Sequence, residues 1–169
     1  LIAGRDAMIH RGPDDDGVFF KNYNNYSVGM GMRRLSIIDK DNGKQPMYSD
    51  DKTKVIVFNG EIYNFQSLKI ELSQKGVLFK TDSDTEVILK LYEKEGLDSF
   101  SRLDGMFAFA IFDKKLNKVF IVRDFFGEKP LYYTKNGNEL IWASELKSIV
   151  TIFEEKPKIS KQGLNLFFK

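Results

Sequence analysis

Hydrophobic positions with helical spacing predict two consecutive helices in the middle of the chain. Phe65, Leu68 and Leu72 fall on one helical face, and Gly76 lies where a left-handed C-cap is expected. The second helix is predicted to begin at the sequence SDTE, residues 83–86, a capping box in which the serine caps the third amide and the glutamate reaches back. Its buried stripe consists of Val87, Ile88, Leu91 and Tyr92, and the helix ends at Gly96.

The second half of the chain has the pattern of β-hairpins. Residues 106–112, MFAFAIF, are apolar at every position, so both faces of this predicted strand must be covered. After a short turn, residues 119–122 are predicted to be its hairpin partner, and residues 131–134 and 139–145 to form two further strands. A single sheet with one exposed face is therefore excluded.

Shorter patterns predict the remaining elements. Residues 1–10 favour a helix that must end near Gly12 and Pro13, because proline disfavours a helical residue before it. An aspartate-rich loop is expected to follow. The other predicted elements are a strand-like run at 27–39, a strand at 54–58 that leads into the sequence NGE, a short helix through Leu97, Phe100 and Leu103 that ends at Gly105, and a helix that begins at GLNLFFK.

Together these elements predict a domain of the α+β class. Doubly buried antiparallel strands flanked by helices favour two sheets packed face to face with helices outside, an α/β/β/α sandwich of two mainly antiparallel sheets. A parallel α/β sheet is disfavoured because hairpins dominate the second half. No repeat, low-complexity tract or linker divides residues 1–169, which we expect to form one domain.

The composition excludes several classes of function. The 169 residues include 26 Lys and Arg against 24 Asp and Glu, and a net charge of +2 does not indicate binding to nucleic acid or to a membrane surface. There is no cysteine and one histidine, which excludes disulfides and a cysteine nucleophile within these residues and disfavours a metal site. No apolar stretch approaches the ~20 residues that span a bilayer, and no signal peptide is evident, so we expect a cytoplasmic protein.

Several common catalytic motifs are absent. The sequence has no complete dinucleotide fingerprint, no phosphate loop ending in Lys-Ser or Lys-Thr, no nucleophile elbow and no calcium loop. A serine triad would have to use His10, which directly precedes Arg11 and Gly12, and a histidine at a helix end is the simpler interpretation. What remains is a set of polar clusters at strand ends and helix starts, where rigid elements usually present functional groups.

Each of these clusters has both a functional and a structural interpretation. The sequence HRGPDDDG, residues 10–17, is by itself a helix stop and an acidic turn. Arg34 lies in apolar company in RRLSIID and needs a carboxylate partner, from the protein or from a ligand. Asn59 and Gly60 can donate two hydrogen bonds to a developing oxyanion, although a simple turn also accounts for them. Asp84 lies in the first turn of a helix, where it could receive an ammonium group, while capping alone explains its neighbours.

Taken in order, eight sequence blocks resemble the glutaminase domain of the glutamine-hydrolysing asparagine synthetases, which are class-II glutamine amidotransferases. The blocks are HRGPDDDG, RRLSIID, GKQPM, FNGEIYNF, TDSDTEVILKLYEKEG, LDGMFAFAIFD, RDFFGEKPLYY and ASELKS, and they extend from Met8 to Ser148. Eight blocks in the right order are far more specific than any one of them. The resemblance implies the N-terminal-nucleophile hydrolase fold, whose α/β/β/α sandwich agrees with the predicted layers.

The resemblance also implies a reaction and a set of site residues. An N-terminal cysteine attacks the side-chain amide of glutamine, its own α-amino group serves as the base, and a thioester is hydrolysed to glutamate after ammonia leaves. An α-amine has an unperturbed pKa of about 7.7 to 8.0, so no histidine is needed. By this resemblance Arg34 binds the α-carboxylate of glutamine, Asp84 its α-ammonium, Asn59 and Gly60 form the oxyanion hole, and Glu61 makes a further substrate contact. No metal is implied there.

Two further parts of the family's machinery are expected outside these residues. The family's cysteine precedes the helix that ends in RGPD, and this sequence begins within that helix, so we expect a fragment that does not hydrolyse glutamine. A C-terminal synthetase domain of the same chain, which binds ATP and Mg²⁺ and activates aspartate, is the expected partner. No cofactor is expected in the glutaminase domain itself, and a homodimer is an open alternative to a monomer.

Three hypotheses on function therefore stay open at this point. The first is a glutaminase domain that supplies ammonia for the conversion of aspartate to asparagine. The second is an amidotransferase domain that serves another acceptor, such as a sugar in surface-polysaccharide synthesis. The third is a non-catalytic scaffold that kept the fold, and the first codons of the parent gene discriminate, because Met-Cys favours the enzyme.

Overall fold

The computed structural model describes residues 1–35, 43–153 and 157–168. Within these ranges the helices are α1 (Ile2–Asp6), α2 (Phe65–Gln74), α3 (Asp84–Glu95), α4 (Leu146–Ile152) and α5 (Lys161–Phe167), with 3-10 turns at Ile9–Arg11 and Gly96–Arg102. The strands are β1 (Asp15–Asn22), β2 (Ser27–Arg34), β3 (Met47–Tyr48), β4 (Lys54–Ile62), β5 (Gly105–Asp113), β6 (Lys118–Arg123), β7 (Tyr132–Asn136) and β8 (Glu139–Ala143).

The strands form antiparallel sheets. β1 pairs with β2, the central sheet has the order β3-β4-β5-β6, and β7 pairs with β8. The longest pairing joins β4 to β5, from Lys54 opposite Asp113 to Ile62 opposite Gly105. β6 follows β5 as its hairpin partner, as the sequence predicts.

The central sheet is covered on both faces, as the apolar run of β5 predicts. On one face, Phe58 and Phe109 pack against Ile88 and Tyr92 of α3. The other face packs against the β1-β2 sheet through a second cluster. The buried members of that cluster are Phe19, Val28, Met30, Val55, Ala110 and Phe112.

α1 covers the outer face of the β1-β2 sheet. Leu1 and Arg5 lie over Gly29 and Gly31 of β2, and α1 also contacts α4. The layers therefore follow the order helix, sheet, sheet, helix, which confirms the predicted α+β class and α/β/β/α sandwich. None of the helices within the described ranges is long and apolar enough to cross a bilayer.

Three local predictions in the first third of the chain need correction or lie partly outside the described residues. The helix predicted over 1–10 ends at Asp6, because the backbone at Met8 (φ −102°, ψ 14°) leaves the α-helical region. The prediction of an aspartate-rich loop is wrong, since most of that segment is β1, where hairpin pairing with β2 holds residues of low strand propensity such as Asp15 and Asp16 in an extended conformation. β3 was also not predicted. The predicted strand at 27–39 is confirmed as β2 up to Arg34, and residues 36–39 lie outside the described residues.

α3 begins where the capping-box pattern predicts, but only half of the box forms. Ser83 Oγ accepts a hydrogen bond from the Thr85 amide at 3.1 Å. Glu86 does not reach back to Ser83. Its carboxylate instead accepts the amides of Lys80 and Thr81 at 3.0 and 2.7 Å, and so fastens the preceding loop to the helix.

Candidate active site at the open edge of β4

Asn59 and Gly60 lie within β4 and not after it. β4 continues to Ile62, and Asn59 pairs with Ala108 of β5. The prediction that the strand ends at Phe58 is therefore wrong, because pairing with β5 holds the Asn-Gly sequence, which is locally typical of turns, in an extended ladder. The rigid sheet, and not a loop, carries this pair of residues.

Gly60 directs its backbone amide away from β5. Its partner Phe107 bonds to Asp124 on the far side, where Asp124 N donates to Phe107 O at 2.8 Å and Phe107 N donates to Asp124 Oδ2 at 3.2 Å. Opposed residues of an antiparallel pair point their backbone groups either toward each other or both outward, so the Gly60 N–H points outward. Gly60 has φ +151°, and a Cβ there would lie 2.1 Å from Met106 O, so no other residue fits.

The outward amides of β4 meet side-chain acceptors at alternate residues. β3 covers only the first part of this edge. Farther along, Phe58 N donates to Gln45 Oε1 at 2.7 Å, and Ile62 N donates to Asp84 Oδ2 at 3.2 Å. The alternation of the strand places the Gly60 amide between these two satisfied amides.

Asn59 turns its side chain toward the space between the two sheets. Val55 and Val57, which share its face of β4 by alternation, belong to the cluster against β1 and β2. Asn59 Nδ2 is buried and has no hydrogen-bond partner among the described residues. A buried donor left unpaired costs about 1 to 3 kcal/mol, so this atom is a place where a ligand oxygen would be stabilised.

Arg34 lies at the end of β2 on the face turned toward β4, since alternate residues of β2 up to Arg34 are buried there. Gly17 of β1, which pairs two residues before this end, lies against the backbone of Gln45. Because Gln45 in turn binds the amide of Phe58, the Arg34 end of β2 lies beside the part of β4 that carries Asn59. The structure thus brings Arg34 to the end of the intersheet space where the Asn59 side chain lies.

Asp84 connects the start of α3 to the end of β4. Its side chain is buried and accepts the amides of Ile62 at 3.2 Å and Thr85 at 2.9 Å. Burial raises the pKa of this carboxyl, and the neighbouring charge of Glu61 adds to the increase, while the two amides oppose it. A buried carboxylate beside another acidic group provides a favourable environment for a cation such as an ammonium group.

The raised pKa of Asp84 gives a pH-dependent stability difference. Asp84 binds a proton more readily in the folded state than in the unfolded state. The wild type therefore loses stability as the pH rises from the ordinary carboxyl pKa of 3.8 to the raised pKa of the folded state. Asp84→Asn removes this loss. The melting temperature of Asp84→Asn relative to the wild type should therefore increase between pH 3 and pH 7, by about 2 to 4 °C, in calorimetric scans without glutamine.

The exposed Asp98 provides the control for this measurement. Asp98→Asn removes an exposed carboxylate in place of a buried one, so the comparison separates the effect of burial from the loss of a charge. A melting-temperature difference for Asp84→Asn that is constant over the same pH range would contradict the burial argument.

The rim of the site is acidic. Glu61 follows the amide pair on β4, and the pKa of Tyr63 is raised, first by partial removal from water and then by the charges of Glu128 and Glu61. No cluster of His, Asp and Glu suited to a metal ion occurs within the described ranges. The site thus provides hydrogen-bond donors at Asn59 and Gly60 and an acidic rim that attracts cations.

His10 lies in a surface cluster outside this site. Its Nε2 atom is 2.9 Å from Glu145 Oε1, and Lys147 Nζ lies 3.1 Å from its Nδ1 atom. These contacts join the 3-10 turn after α1 to the start of α4. They agree with the interpretation of His10 as a structural histidine near a helix end.

Two residues that form hydrogen bonds to the strands of the site received no role from the sequence. Gln45 binds β4 one residue before Asn59, and Asp124 holds Phe107 opposite Gly60. Burial raises the pKa of Asp124, but the amides of Lys129, Glu128, Phe107 and Gly127 outweigh it and lower that pKa. The blocks GKQPM and RDFFGEKPLYY were the only local signals for these residues.

The fold and this site define the class of the protein. The profile of the glutamine amidotransferase domain matches residues 1–169, and the chain belongs to this family. The fold is shared with the solved structure of glutamine phosphoribosylpyrophosphate amidotransferase from Bacillus subtilis in complex with ADP and GMP, at a TM-score of 0.71 and 22% identity, over 87% of this chain and 39% of that one. The predicted family resemblance and fold are both confirmed.

Two relatives with higher identity are asparagine synthetases by name. The putative asparagine synthetase [glutamine-hydrolyzing] 2 of Methanocaldococcus jannaschii is 45% identical over 179 residues, which cover 96% of this chain and 34% of the relative. Asparagine synthetase [glutamine-hydrolyzing] 1 of Bacillus subtilis is 46% identical over 168 residues, 99% of this chain and 26% of the relative. The chain thus spans between a quarter and about a third of the length of these two relatives.

Proposed function

We propose that this domain hydrolyses glutamine to glutamate and ammonia, and that the intact protein uses the ammonia to convert aspartate to asparagine. The observation that carries the first step is the pair of donors at the open edge of β4. Asn59 Nδ2 is buried without a partner among the described residues, and the adjacent Gly60 amide points outward from β5. The names of the relatives support aspartate as the acceptor.

The donor pair suits the charge that develops during amide hydrolysis. Attack on the side-chain amide of glutamine turns its carbonyl oxygen into an oxyanion, which binds hydrogen-bond donors more strongly than the neutral amide does. The Asn59 side chain and the Gly60 backbone are both held by the β4-β5 ladder, so they need little reorganisation when the charge forms.

Arg34 and Asp84 suit the two charged ends of the substrate. We assign the α-carboxylate of glutamine to the guanidinium of Arg34, since arginine offers two parallel donors to a carboxylate. The α-ammonium is assigned to Asp84, whose buried carboxylate lies beside Glu61. Glu61 contributes a further contact at the acidic rim. Binding a cation there would also offset the cost of keeping Asp84 ionised while buried.

The nucleophile is assigned to the family's N-terminal cysteine, with its α-amine as the base. These 169 residues contain no cysteine, so none of them fills that role. ATP and Mg²⁺ are assigned to the C-terminal synthetase domain of the same chain. Within the proposal, the domain described above only delivers ammonia, and a cytoplasmic location agrees with its composition.

The absence of a cysteine gives a direct test. A purified polypeptide limited to these 169 residues should release no glutamate from glutamine above the buffer rate, because it lacks the attacking group. The intact protein, or the polypeptide extended by a cysteine-bearing N-terminal segment, should release glutamate and ammonia in equal amounts.

Enzymatic glutamate determination on preparations from a host that lacks other glutaminases makes this comparison. Glutamate release by the 169-residue polypeptide would overturn the assigned mechanism. An intact protein that binds but never hydrolyses glutamine would instead support the scaffold hypothesis.

A further inference from the structure

We propose that Gln45 is a positioning residue for glutamine hydrolysis, which holds the Asn59 and Gly60 donors in place through the neighbouring amide of Phe58. This inference rests on the proposed function and adds a residue to its machinery. Gln45 belongs to no secondary-structure element, yet only 9% of its surface is exposed. The oxygen and the nitrogen of its terminal carboxamide both form hydrogen bonds.

The carboxamide oxygen of Gln45 completes the edge of the sheet. β3 is only two residues long and pairs with Val55 and Ile56, so among the described residues β4 has no neighbouring strand on that side beyond Ile56. Gln45 Oε1 accepts the Phe58 amide at 2.7 Å and takes the place of a strand carbonyl. The next outward amide is that of Gly60, which must stay unpaired by protein to serve the oxyanion.

The carboxamide nitrogen of Gln45 reaches α3. Gln45 Nε2 donates to Thr85 Oγ1 at 3.3 Å, and Thr85 follows Asp84 at the start of that helix. Thr85 is 1% exposed, so its hydroxyl has a fixed position. One side chain therefore links the strand that carries the donors to the helix that carries the proposed ammonium acceptor.

The main chain of Gln45 is also fixed, from the opposite side. A Cβ at Gly17 of β1 would lie 2.0 Å from the carbonyl oxygen of Gln45 and 2.6 Å from Cδ of Pro46. Only a residue without a side chain allows this approach. Gln45 is thus clamped between β1, β4 and α3, the elements that lead to Arg34, Asn59 and Asp84.

This arrangement predicts a specific kinetic defect. If the Phe58 amide loses its acceptor, the unsupported edge of β4 can shift, and displacement of a donor by a fraction of an ångström weakens contacts made in the transition state. The proposed ground-state contacts of glutamine are made by the side chains of Arg34 and Asp84, and Asp84 has its own hydrogen bonds to the amides of Ile62 and Thr85. The rate constant should therefore fall while the affinity for glutamine changes little.

The experiment compares three variants in the intact protein. Gln45→Met keeps the length of the side chain but removes both hydrogen bonds, and should lower kcat for glutamine hydrolysis about 10- to 100-fold. KM should stay within about twofold. Gln45→Glu keeps an acceptor for Phe58, while the Thr85 hydroxyl can donate to the new carboxylate, and should restore most of kcat. Gln66→Met, the same change at an exposed position of α2, is the matched control and should not change kcat.

Amide hydrogen exchange gives a second readout without glutamine. In Gln45→Met the Phe58 amide should exchange at least tenfold faster than in the wild type, whereas amides of β6 should be unchanged. A kcat per folded molecule equal to that of the wild type, or a parallel loss of kcat and affinity with unchanged exchange at Phe58, would overturn the positioning role. If the intact wild type does not hydrolyse glutamine, the proposed function fails and this role fails with it.

Discussion

Asn59→Ala in the intact protein should lower the rate constant for glutamine hydrolysis about 100- to 1000-fold, the usual effect of removing one oxyanion donor. The substitution deletes the buried Nδ2 atom, which has no other hydrogen-bond partner within the described residues. Glutamine affinity should change far less, because the ground-state amide oxygen is a weaker acceptor than the oxyanion. Steady-state kinetics and a melting curve on the same preparation measure both quantities.

The melting curve makes this result interpretable. Removing an unsatisfied buried donor should leave the stability of the domain unchanged or slightly higher, since no intramolecular hydrogen bond is lost. Asn138→Ala, at an exposed position between β7 and β8, serves as the control for a loss of an asparagine amide. A normal rate per folded molecule together with a lower melting temperature would mean that Asn59 has only a structural role.

Arg34→Ala should weaken glutamine binding by about 2 to 5 kcal/mol, because it removes a charge-assisted contact to the α-carboxylate from a buried site. Calorimetric titration with glutamine measures this change. Arg34→Lys should recover part of the affinity, since lysine keeps the charge but not the two parallel donors. Ammonia-dependent synthesis by the intact protein should be unaffected.

The neighbouring Arg33 provides a matched control for the loss of an arginine. By strand alternation its side chain lies on the opposite face of β2, where it forms an ion pair with Asp6 of α1 at 2.8 Å. Arg33→Ala should therefore lower stability without changing glutamine affinity. Unchanged glutamine affinity in Arg34→Ala would mean that Arg34 has only a structural role between the sheets. Loss of ammonia-dependent synthesis in the same variant would indicate misfolding.

The donors of the site combine local chemistry with a distant constraint. The residue types of Asn59 and Gly60 were readable, and so was their potential to donate hydrogen bonds to an oxyanion. Their position inside a strand could not be predicted, because an Asn-Gly sequence after five strand residues has the local pattern of a turn. Pairing with residues 105–108, more than 40 positions later, extends β4 through them and determines where each donor points.

The sequence by itself determined the elements whose signals are local. The uninterrupted apolar run of β5 required cover on both faces, and the serine at position 83 placed the start of α3. Hydrophobic periodicity and caps act over a few residues, so the chain encodes them directly. The order of the sequence blocks likewise determined the family.

Only the tertiary structure decided how these elements supply the site. The second half of β4 exists through pairing with β5, more than 40 residues later in the chain. The carboxylate of Glu86 accepts backbone amides of the preceding loop in place of the expected cap. Gln45 is the clearest case. Its side chain joins Phe58 to Thr85, and a contact that closes a gap between a strand and a helix has no periodicity or spacing by which sequence alone could reveal it.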